Sequence, residues 1–124
     1  MYDILVVDDE PLIREGLKVA LEMEGYHAQT AADGKEAVKI VKMTNPNILI
    51  TDIIMPEKDG IEVICDVKRF NPNIKILAIS GGGRISAQEH LKIAKQLGAN
   101  SVLAKPFSTE ELMFEIKRMA EHAN

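Results

Sequence analysis

The stretch NILITDIIMPEKDG, residues 47–60, decides the fold. Its apolar run at 48–51 reads as a strand buried on both faces, and a helical pattern opens at Gly60 and runs to Phe70. Between the two stand an acid, Asp52, two isoleucines and a Met-Pro step. The same strand-then-helix unit recurs on either side. Residues 4–7, 28–31, 74–79 and 101–104 read as further short strands, and 11–24, 34–44, 86–97 and 109–122 as amphipathic helices. In the last helix Leu112, Met113, Ile116, Met119, Ala120 and Ala123 recur at helical spacing, and Thr109 is placed to cap its start. Five βα units in succession imply a parallel sheet covered on both faces. Right-handed crossovers in a chain of this length favour a doubly wound, flavodoxin-like (βα)5 three-layer sandwich with strand order 2-1-3-4-5.

Composition sets the outer bounds. A chain of 124 residues that is 46% hydrophobic and 27% charged is expected to form one domain over residues 1–124, with no output domain. The sequence shows neither an apolar run of spanning length nor the basic-then-apolar pattern of a signal peptide, so a cytoplasmic protein with no membrane contact is expected. The single cysteine, Cys65, lies in an apolar helical stretch and reads as a packing residue. A net charge of −4 without a Lys/Arg cluster argues against direct nucleic-acid binding.

In the 2-1-3-4-5 order the crevice lies outside the carboxyl ends of the strands. The first strand ends in Asp8-Asp9, the third in Asp52, the fourth in Ser80 and the fifth in Lys105. Carboxylates gathered at one edge either share protons or bind a cation, and Mg²⁺ suits an oxygen-only donor set completed by water and a phosphate oxygen. An Asp carboxylate is also a nucleophile toward phosphorus. Asp52 is therefore the candidate nucleophile, with Asp8 and Asp9 as metal ligands. Lys105 and Ser80 are placed to oppose charge on phosphoryl oxygens. Taken singly, Asp8-Asp9-Glu10-Pro11 also suits a helix start, Asp52 a turn, and Ser80-Gly81 and Lys105-Pro106 ordinary loops.

With VVDDEP, TDIIMPEKDG, AIS and LAKPF in this order, the whole chain resembles the receiver domain of a two-component response regulator, as a stand-alone member of the CheY type. The resemblance implies Mg²⁺-dependent transfer of a phosphoryl group to Asp52 from the histidine of a sensor kinase or a histidine phosphotransfer protein. It further implies slow self-catalysed hydrolysis, a downstream protein target, the Ile54 carbonyl as a metal ligand alongside Asp52, and a cis Lys105-Pro106 bond. On this reading the protein catalyses only its own phosphorylation and dephosphorylation.

The chain departs from that family at the switch. Receivers usually carry an aromatic three positions before the lysine, whereas here Val102 stands there, so switching is expected to rest on Ser80 and the glycines Gly81, Gly82 and Gly83, moving the surface from Ser80 to Arg84 and the last two helices. On the first helix Ile13, Leu17, Ala20 and Leu21 form the expected core stripe, and Leu12, Gly16, Val19 and Met23 form a second one beside it. The second stripe reads either as packing or as a dock for the phosphodonor, with Leu12 and Val19 as its contacts. Phe114, off the core stripe of the last helix, and Ile93, off the Leu91-Ala94-Leu97 stripe, suggest a downstream contact face. Two alternatives have sequence arguments against them. A phosphatase of the haloacid-dehalogenase type needs a second acid that DIIMP lacks, and a flavin module needs a phosphate loop where this chain has DDEPLI.

Overall fold

The computed structural model describes residues 3–55, 59–81 and 84–121, apart from the side chains of residues 84–88 and 90. Strands and helices alternate as β1 (Asp3–Val7), α1 (Pro11–Met23), β2 (His27–Ala31), α2 (Gly34–Thr44), β3 (Ile48–Asp52), α3 (Gly60–Phe70), β4 (Lys75–Ser80), α4 (Arg84–Gln96), β5 (Ser101–Ala104) and α5 (Thr109–Glu121). The sheet is parallel throughout in the expected order β2-β1-β3-β4-β5. Its register aligns Val7 with Thr51, Asp52 with Ile79, and Ser80 with Ala104. The strands therefore finish level, and whatever follows each of them meets at one edge.

The period-2 alternation of the strands supplies two cores. Leu5, Val7, Leu49, Ile76 and Ala78 pack on one side with Val41 of α2, Val63, Ile64 and Val67 of α3, and Leu91 and Ala94 of α4. Ile4, Val6, Ile48, Ile50, Leu77 and Ile79 pack on the other with Leu17 and Leu21 of α1 and Leu112, Met113, Ile116 and Met119 of α5. Burying both faces explains why the strands read as unbroken apolar runs. Strand parity assigns Asp52 to the α1/α5 side, with Ile48 and Ile50.

Several boundaries and roles differ from the sequence reading. α4 starts at Arg84, ahead of residue 86, and stops at Gln96, which leaves Leu97 past the last turn and exposed, outside the core stripe. The cap of α5 is Ser108 in place of Thr109. The Ser108 Oγ accepts from the Glu111 N–H at 3.0 Å, and the Glu111 carboxylate accepts from the Ser108 N–H at 3.0 Å. That reciprocal box needs an acid three residues on, and the residue three past Thr109 is the core-facing Leu112. Asp33 and Asp59 cap α2 and α3 one way, accepting from the Glu36 and Glu62 N–H groups at 2.9 and 3.0 Å. The expected contributions of Ala123 and of residue 122 lie outside the described residues.

Candidate functional site

Asp8 follows the last residue of β1, and Asp52 ends β3; both are buried, Asp52 to 5% exposure. The Asp52 carboxylate is oriented from its own loop, where the Ile54 N–H donates to its Oδ1 at 3.0 Å. Gly60 explains why the turn closes so tightly against the strand. Its N–H donates to the Ile53 carbonyl at 2.8 Å, and a Cβ there would lie 2.3 Å from the Asp52 carbonyl oxygen and 2.6 Å from the Ile53 Cα. Only glycine lets α3 start that close to the end of β3.

Lys105 arrives from the far edge of the sheet, one residue past β5. Its N–H donates to the Ser80 carbonyl at 2.9 Å, and the Lys105-Pro106 bond that follows is cis, as the resemblance implies. Its side chain lies along Gly81, where a Cβ would stand 2.8 Å from both the Lys105 Cβ and Cδ. Laid over that glycine, the ammonium donates to Asp52 Oδ2 at 2.8 Å, Asp8 Oδ2 at 3.2 Å and Glu10 Oε1 at 3.4 Å.

Three carboxylates, those of Asp8, Glu10 and Asp52, thus offer oxygens within 4.8 Å of one another. At that spacing each pair of charges repels by roughly 3–4 kcal/mol with an effective dielectric of about 20. One ammonium against three carboxylates leaves two negative charges uncompensated. A hard divalent cation matches that residual charge and that oxygen-only donor set, so the residues present fit Mg²⁺. Burial raises the Asp52 carboxyl above its ordinary 3.8, outweighing the opposing pull of the Lys105 hydrogen bond and charge and of the Ile54 N–H. Burial alone would lower the Lys105 ammonium, but its hydrogen bonds and charge interactions with Asp52 and Asp8 together hold it above the ordinary lysine value.

Ser80 ends β4 at the same edge of the sheet. It is fully buried, and its Oγ has no hydrogen-bond partner among the described residues. A buried hydroxyl left unpaired costs about 1–3 kcal/mol, which a ligand oxygen would recover. A cavity of about 250 Å³ over the site is lined by Asp9, Glu10, Asp52, Ile54, Gly81 and Lys105. Asp9 lines this cavity, but the carboxylate cluster takes in Glu10 in its place. Glu10, the N-cap residue of α1, has extended backbone, φ −89° and ψ 111°, and follows a bend at Asp9 in which the Glu10 N–H donates to Asp8 Oδ1 at 2.9 Å.

Of the other site residues expected from sequence, Gly82 and Gly83 lie outside the described residues. Val102 is half-buried against the α2–α4 core, opposite Ala78. Among the described residues the second stripe of α1 stays exposed. Leu12 is 90% exposed, Val19 and Met23 are exposed as well, and a Cβ at Gly16 would meet nothing within 4 Å. Phe114 is 65% exposed on α5.

A parallel, doubly wound sheet whose carboxyl edge gathers acids, a hydroxyl and a lysine defines an acidic site at the strand switch point. The family model for the response regulator receiver domain matches residues 4–117, and the chain belongs to that family. It is 35% identical over 116 residues to the response regulator MprA of Mycobacterium leprae, a match that covers 94% of this chain and 50% of that protein. The chain thus spans about half the length of the MprA relatives it matches. Among solved structures, a response regulator receiver domain protein from Clostridium thermocellum superposes with a TM-score of 0.91 at 27% identity, over 98% of this chain and 96% of that one. The chemotaxis protein CheY4 of Vibrio cholerae superposes with a TM-score of 0.85 at 30% identity, over 96% and 98%. Family membership sets aside the phosphatase and flavin alternatives.

Proposed function

We propose that this receiver domain is a phosphoacceptor in which Asp52 takes a phosphoryl group from the phosphohistidine of a sensor kinase or histidine phosphotransfer protein, with Mg²⁺ bound beside it. A carboxylate oxygen of Asp52 attacks phosphorus, the P–N bond breaks, and its electron pair returns to the histidine ring. Hydrolysis reverses the outcome: water attacks phosphorus and the Asp52 carboxylate leaves. Asp8, Asp9 and Asp52 with the Ile54 carbonyl would hold Mg²⁺, which supplies charge neutralisation on the phosphoryl oxygens when bound. Lys105 exchanges its carboxylate partners for a phosphoryl oxygen, and Ser80 donates to another. The observation that carries this reading is the buried Ser80 hydroxyl, without a hydrogen-bond partner among the described residues, at the same strand edge as Asp52 and the Lys105 ammonium.

The phosphodonor is proposed to dock on α1. An apolar cavity of about 610 Å³ runs between Leu12, Gly16 and Ala20 of α1 and Phe107 and Leu112 beside α5, and it ends at Gly81 and Lys105, the residues that also line the acidic cavity. A helix seated there, in contact with Leu12 and Val19, brings its histidine toward Asp52. Switching is assigned to Ser80, Gly81 and the half-buried Val102, and the downstream contact to Phe114. The test is intact mass after incubation with acetyl phosphate, with Mg²⁺ and with a chelator. The expected result is one added phosphoryl group that requires Mg²⁺ and maps to Asp52; no adduct in Mg²⁺, or an adduct on another residue, contradicts the proposal.

A further inference from the structure

We propose that Glu10 is the exchange partner of Lys105: it holds the ammonium at the rim when a divalent cation takes up the Asp8 and Asp52 carboxylates, and it restrains the lysine from an incoming phosphoryl group. This rests on the reading of Asp52 as a Mg²⁺-dependent phosphoacceptor. Glu10 stands at the N-cap of α1, yet its side chain accepts no hydrogen bond from the helix N–H groups. The carboxylate turns back over the site, with Oε1 3.4 Å from the Lys105 Nζ. Asp52 and Asp8 are buried, while the Glu10 side chain is 61% exposed, so the lysine already touches a series of three acids that leads from the interior to the rim.

The competition follows from charge. The ammonium and the cation require the same two buried carboxylates, and an ammonium expelled from them without a new partner would be desolvated and unpaired. Glu10 gives it a place within reach while the lysine stem stays on Gly81. The same contact then opposes catalysis, because a lysine held by Glu10 is less available to the phosphoryl oxygens. Removing Glu10 therefore has two effects of opposite sign. Mg²⁺ binding weakens, and phosphoryl transfer at saturating Mg²⁺ speeds up. Each effect is expected at about two- to five-fold, the size of an exposed ion pair.

The test uses the purified chain and Glu10→Gln, with two readouts. Mg²⁺ titration of the melting temperature reports binding without any phosphoryl transfer, and intact mass reports the labelling rate by acetyl phosphate at saturating Mg²⁺. Glu10→Asp is the second variant. It keeps the charge but loses a methylene and gains a preferred N-cap side chain, so the shorter acid turns to the helix and releases Lys105. Both variants are expected to bind Mg²⁺ more weakly and to label faster. Weaker binding with slower labelling would make Glu10 a metal ligand and overturn the proposal. Unchanged values in Glu10→Gln, or wild-type values in Glu10→Asp, would overturn it as well. If the wild-type chain shows neither a Mg²⁺ shift nor labelling, the phosphoacceptor reading itself fails, a result distinct from these.

Discussion

The two ends of the sheet are built on opposite terms. At the amino edge, asparagines and one lysine pair the backbone groups that the strands leave open. Asn47 Oδ1 accepts from the Asp3 N–H at 2.8 Å, Asn100 Oδ1 accepts from the Ile76 N–H at 2.8 Å, and Lys68 donates to the Ile74 carbonyl at 2.8 Å. At the carboxyl edge, three carboxylates share one ammonium and a buried hydroxyl has no partner among the described residues. Among the described residues one edge pairs these groups within the chain, and the other leaves excess negative charge and a hydroxyl that a group bringing positive charge and acceptor oxygens would match.

Asp52→Asn should break the comparison most completely. An amide is too poor a nucleophile to form the acyl phosphate, so labelling by acetyl phosphate is expected to fall to background while the far edge and the fold are untouched. Mass measurement and a thermal melt check the two halves. Next in size, Gly60→Ala drives a methyl into the Asp52 carbonyl and the Ile53 Cα, both backbone, so neither can yield cheaply. A loss of roughly 3 kcal/mol or more is expected in denaturant unfolding. At the opposite edge, Asn100→Ala leaves the Ile76 N–H unpaired at a buried residue. A cost of about 1–2 kcal/mol is expected there, with the labelling rate unchanged.

The smallest effect has a sign that separates the edges. Because folding raises the Asp52 pKa above 3.8, its stabilising contribution is complete below 3.8 and is lost as pH rises through the folded value, so at neutral pH the ionised group costs stability. Asp52→Asn should therefore melt above wild type at pH 7, and the gap should close as pH falls below 3.8. Asn100→Ala, which involves no titrating group, should melt below wild type throughout.

Most of this was legible before the structure. The alternation of apolar runs and amphipathic segments carried the strand order, and one residue at each of four strand ends, Asp8, Asp52, Ser80 and Lys105, carried the meeting point. The cluster's third carboxylate was not legible, because whether Asp9 or Glu10 joins Asp8 and Asp52 depends on how the backbone bends after β1. An acid directly before Pro11, at the start of α1, was the available signal. The environment of the second α1 stripe was also undetermined, since Leu12, Gly16 and Val19 have the spacing of packing residues and only the position of neighbouring helices decides their exposure. Leu97 read as core by spacing alone, and the end of α4 at Gln96 put it outside.

The most direct test of the contrast between the edges is a map of backbone amide NMR shifts before and after phosphorylation with acetyl phosphate and Mg²⁺. The predicted result is large changes at Asp8 to Glu10, Ser80, Gly81 and Lys105, with Asp3, Asn47, Ile76 and Asn100 unmoved. Comparable shifts at both edges, or changes confined to the asparagine edge, would contradict the account.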